Sequence, residues 1–176
     1  MTYYGAKELA DSLRVVRKNT LQIAEDIPEA QYGFRPTPDS RSVGELLAHI
    51  AIGYRFQRLV HADERRSTLA GIDFGALITR LREEEARLAV KAQIIDALKG
   101  NGEAWASWIE SLPDGFLAER VEMPGEPPSS KSRFEMLLST KEHEMHHRGQ
   151  LMLIERLLGI VPHLTRERQS RMQARR

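Results

Sequence analysis

From Tyr4 to about Glu25, Leu9, Leu13, Val16, Leu21 and Ile23 recur among charged residues at close to a 3.6-residue period. That is the pattern of a helix with one buried stripe, and Pro28 closes it. The stretch YGFRPTPDSRS is rich in turn formers. Ser42, with Glu45 three residues on, then makes a capping box, so a second helix starts near Ser42 and runs through VGELLAHIAIGYRFQRLV. A shorter helical pattern, FGALITRLREEEARLA, precedes a long one, KAQIIDALKGNGEAWASWIESL, in which Gly100 and Gly102 are a predicted weak point. The segment PDGFLAERVEMPGEPPSSKS reads as a loop with a brief extended piece at AERVEM. Ser132 and Glu135 make a second capping box, opening a last long helix, RFEMLLSTKEHEMHHRGQLMLIERLLG, that Gly159 and Pro162 stop.

No period-2 pattern of useful length, no internal repeat and no interdomain linker interrupts this series. The expectation is a single all-α domain over 1–176: an up-down four-helix bundle with one additional short helix, ending in a basic tail from about residue 165. A chain of 176 residues, 41% of them hydrophobic, is long enough to bury a core without staples.

Charge and cysteine usage narrow the chemistry. With 26 basic and 25 acidic residues the formal net charge is +1, which gives no general attraction to nucleic acid or to an anionic membrane. The basic end TRERQSRMQARR is read as a solvated tail. The absence of cysteine removes disulfides, thiolate zinc sites and a cysteine nucleophile, so any metal must rest on His, Asp or Glu. The beginning, MTYYGAKELADSLRVV, lacks the layout of a secretory signal, and no run approaches the ~20 apolar residues that span a bilayer. A cytoplasmic protein without a membrane partner is expected.

The histidines carry the candidate chemistry. At 100° per residue, His143 and His147 lie about 40° apart on the last helix, and Gln150 lies about 20° to the other side of His143. Met136 and Ile154 share that stripe, which therefore faces the interior. His49 occupies the apolar face of the second helix with Leu46, Gly53 and Phe56. Three neutral imidazoles can bind one divalent ion and leave a position open for water or substrate. Gln150 and Glu45, each one turn from a histidine, are candidates to orient a ligand or water. The bland alternative is that these are satisfied core histidines, and His61, His146 and His163 are read that way.

SVGELLAHI, KEHEMHHRGQLMLIERLLGI and the following PHLT together resemble the DinB (DinB/YfiT-like) family along essentially the whole chain. The resemblance implies a four-helix bundle, commonly a homodimer, holding one divalent metal on a histidine of the second helix and two of the last long helix. By position these are His49, His143 and His147. It further implies a small-molecule substrate, and in some members a low-molecular-weight thiol cosubstrate such as bacillithiol or mycothiol.

HEMHH also satisfies H-E-x-x-H, the signature of a zinc peptidase with Glu144 as base. The metzincin form would require Gly at 150 and His at 153, where this chain has Gln150 and Leu153. A downstream glutamate ligand is formally available at Glu155 or Glu167, but upstream His49 is the better third ligand. The match is therefore read as incidental, and Glu144 as lying beside the site or on the surface. Three functions follow: a metal-dependent hydrolase or thiol transferase, a non-catalytic metal-stabilised helical dimer, and a peptidase using Glu144. Three histidines suit zinc, nickel, iron or manganese.

Overall fold

The computed structural model describes residues 4–175. Helix α1 spans Ala6–Asp26, and a 3-10 turn at Glu29–Gln31 leads into the loop before α2, Val43–Ile52. The Ser42 capping box forms: Ser42 Oγ accepts from the Glu45 N–H and Glu45 Oε2 from the Ser42 N–H. The expected continuous second helix is broken after Ile52. Gly53 and Tyr54 offset a short α3, Arg55–Arg58, which ends in a π turn over Leu59–Asp63.

Helix α4 (Phe74–Ala86), packed on α2, falls where the additional short helix is expected, but it is one of several short helices outside the bundle. Helix α5 (Lys91–Glu110) is unbroken, so the weak point expected at Gly100 and Gly102 does not appear. Packing explains it: a Cβ on Gly102 would lie 2.8 Å from Arg17 Nη1, so the glycine lets Arg17 of α1 lie against α5. After α6 (Asp114–Ala118), the region expected to be loop folds partly into an antiparallel hairpin. β1 (Arg120–Met123), which covers most of the predicted extended piece, pairs with β2 (Ser129–Ser132). Ser132 then caps α7, Arg133–Leu157. The segment read as a basic tail is instead helical: α8 spans His163–Gln173, with His163 buried and Arg166 paired to Asp26 of α1.

The four-helix bundle consists of α1, α2, α5 and α7. α1 and α2, though consecutive, both pack chiefly on α5; α1 then leans on α7, while α2 is flanked by α4 and, less extensively, by α7. One core layer joins Ile23, Leu47, Ile94 and Leu151, and another joins Leu9, Trp105, Ile109 and Leu137. Burial of aliphatic side chains at roughly 1.5–3 kcal/mol each holds these amphipathic helices together. The arrangement sets α2 and α7 side by side, which brings their histidines into contact. Among the described residues no helix is long and apolar enough to cross a membrane.

Candidate metal centre

Helix α2 presents His49 and α7 presents His143 and His147, all partly buried. Met136 and Ile154 on the same α7 stripe are buried, as the helical period predicts. His143 Nε2 lies 3.0 Å from His49 Nε2 and 3.1 Å from His147 Nε2. One ligand atom from each ring falls within 4.8 Å of the others. Two nitrogens about 2.1 Å from one ion and at roughly right angles to each other are separated by about 3 Å, so the spacing suits a shared divalent ion.

Hydrogen bonds on the far sides of the rings fix which nitrogen faces the centre. His49 Nδ1 is 2.7 Å from Glu85 Oε1, and His147 Nδ1 is 2.8 Å from Gln150 Oε1. Both partners are acceptors, so each neutral ring carries its proton on Nδ1 and turns an Nε2 lone pair inward. His143 can donate a proton from Nε2 to only one of those two lone pairs. A cation resolves the conflict, and the donor set therefore fits a metal ion. Burial and the neighbouring imidazoles push His143 down to about 4, and burial lowers His147, so both rings are neutral at pH 7, the state in which an imidazole can bind a metal.

Gly53 lets the two helices approach. A Cβ there would lie 3.0 Å from His143 Cε1 and 3.1 Å from its Nδ1, so the break after α2 also makes room for the ring. A cavity of about 380 Å³ is lined by His147 and Gln150 and so opens on the centre. A larger one of about 700 Å³ between α2 and α4 is lined by Glu45 and Glu85, and it adjoins the centre only through Glu85, the partner of His49.

Glu45 caps α2 and pairs with Arg35, and among the described residues it makes no hydrogen bond with the three histidines. Glu144, expected beside the site or on the surface, is instead buried on the α1 side of α7, where Arg17 Nε and Nη2 each donate to one of its oxygens at 2.9 Å. His61 is a satisfied core histidine, held by Gln57 and Arg133, and His163 reaches Asn19. Glu155 is fully buried near α8, and Glu167 pairs with Arg171 on α8.

Two contributors escaped the sequence reading. Glu85 lies in the EEEA run of α4, whose docking on α2 has no local signal. His146 accepts from Gln150 Nε2 at 3.3 Å, which sets the amide so that its oxygen meets His147; the i,i+4 spacing could have revealed it.

The sequence matches the family model of the DinB superfamily over residues 12–151. The chain belongs to the DinB superfamily. The fold of this DinB member is similar to that of YfiT from Bacillus subtilis, described as a probable metal-dependent hydrolase with an unusual four-helix bundle topology. That match has a TM-score of 0.67 at 15% identity and covers 91% of each chain. It is also similar to an uncharacterised protein from Clostridium difficile 630, with a TM-score of 0.69, 13% identity, and 89% of this chain and 98% of that one covered. A DinB-like protein from Bacillus subtilis, YjoA, aligns at a TM-score of 0.53 and 18% identity, covering 86% of this chain and 92% of that one. No curated protein matches by sequence.

Proposed function

We propose that this DinB protein is a metal-dependent hydrolase of a small molecule, with His49, His143 and His147 as the ligands of one divalent ion. The observation that carries the reading is the inward Nε2 lone pairs, enforced from behind by Glu85 and Gln150. Such an ion polarises a bound oxygen and can bring water's pKa to about 7. The protein's own part is to hold three rings in register and to keep them neutral. Three ligands, with His147 on the wall of a cavity, also suit an open, reactive site better than a closed structural one. The description of YfiT as a hydrolase supports the same class. Glu144, with both oxygens taken by Arg17, speaks against the peptidase.

A second reading uses the same centre for transfer to a low-molecular-weight thiol, which would come from outside because the chain has no cysteine. We propose a cytoplasmic homodimer: Leu153 and Leu157 are exposed one turn apart on α7, and Val161 is exposed just beyond. In light scattering, Leu157→Glu should then convert a dimer to a monomer.

The activity test is a panel of small esters, amides and thiol–electrophile pairs offered to protein loaded separately with zinc, nickel, iron or manganese. Hydrolytic turnover that disappears in His147→Ala, with unchanged circular dichroism, is expected. Thiol conjugation without hydrolysis would transfer the assignment to the second reading. Turnover that survives His147→Ala would contradict both.

A further inference from the structure

The wall of the larger cavity carries charges that the metal centre does not use. Arg41 lies just before the α2 cap, and Arg82 lies one turn before Glu85 on α4. Of the acidic groups on this wall, Glu45 is paired with Arg35 and Glu85 with His49. The side chains of Arg41 and Arg82 make no ion pair or hydrogen bond among the described residues, although Glu45, held mainly by Arg35, also feels the Arg41 charge. Arg41 also lines the smaller cavity with His147 and Gln150, so it stands where the two spaces meet.

Two guanidinium groups without hydrogen-bonding carboxylates on one cavity wall focus a positive potential there that attracts an anion. A volume of about 700 Å³ is ample for a metabolite-sized molecule. We propose that the substrate carries an anionic group, a carboxylate or a phosphate, that docks on Arg41 and Arg82 between α2 and α4 while its reactive end reaches the histidine centre. This deepens the metal-dependent reading and rests on it. Arginine suits the role because its planar fork binds either anion with two parallel hydrogen bonds. The pair would select substrates by charge at a distance from the reacting bond, so neutral analogues should bind weakly.

The test uses hydroxamates, which anchor on zinc, with tails of two to five methylenes ending in carboxylate, phosphonate or neutral carboxamide. On zinc-loaded wild type, an anionic tail of fitting length should bind about tenfold tighter than its carboxamide, the scale of one charge-assisted hydrogen bond. In R41Q/R82Q that preference should vanish, while the carboxamide binds both proteins equally and zinc content stays the same. The preferred tail tells carboxylate from phosphate. Equal affinity for charged and neutral tails on the wild type, or a preference that survives in the variant, overturns the proposal.

A separate arm titrates inorganic phosphate into metal-free protein and follows the amides of Gly33 and Gly44, which line the cavity. Shifts in wild type that are absent from R41Q/R82Q support the anion site independently of metal, and their absence from wild type counts against it. Wild type that holds no zinc but passes this arm would sink the metal reading alone.

Discussion

At the scale of single residues, Glu85 and Gln150 hold the Nδ1 sides of His49 and His147 and so turn their Nε2 atoms toward His143. His49, His143 and His147 sit where a 3.6-residue period puts them, because each lies on a helix whose apolar face is fixed by its own neighbours. Glu85 was not legible, since its bond to His49 depends on how α4 docks. Gly53 was placed on the correct face, but nothing in the pattern showed that its missing Cβ admits His143. Gly53→Ala should therefore leave the fold intact and weaken metal binding by about tenfold, the lower end of the range for residues that orient ligands. Competition with a chromophoric chelator measures this, and unchanged affinity would mean that the ring shifts aside freely.

At the scale of elements, buried charge decides what each helix does. Arg17 of α1 holds Glu144 of α7 and the Leu98 carbonyl of α5, tying three bundle helices at one point. Glu144→Gln leaves the Arg17 charge poorly compensated and should cost about 3 kcal/mol in urea unfolding while one ion per chain is retained. A peptidase would instead lose its base and little stability.

The α7–α8 junction makes a second, pH-dependent case. Glu155 is fully buried, neither of its oxygens meets a donor, and burial, with Asp26 nearby, raises it to about 7 from 4.5. The protonated form is the one the fold favours. Its contribution is thus complete below pH 4.5 and is lost as pH rises toward 7. Glu155→Gln should match wild type near pH 4 and exceed it by on the order of 3 kcal/mol at pH 8. Urea unfolding at both pH values checks this, and parallel pH profiles for the two proteins would contradict it. α8 itself escaped the sequence reading because its face is almost wholly polar, and only His163 is buried.

At the scale of the whole molecule, the capping boxes at Ser42 and Ser132 and the apolar stripes made the bundle readable. The order of helices around it was not, because an amphipathic face says what is buried and not against what. α2 and α7 are neighbours even though α4 and α5 lie between them in sequence, and the centre exists because of that adjacency. The most direct measurement is metal content per chain by mass spectrometry, on wild type and His49→Ala purified identically without an affinity tag. About one ion per chain in wild type and none in the variant is the predicted result. A variant that keeps its metal would show that α2 contributes no ligand and that the three-histidine centre is wrong.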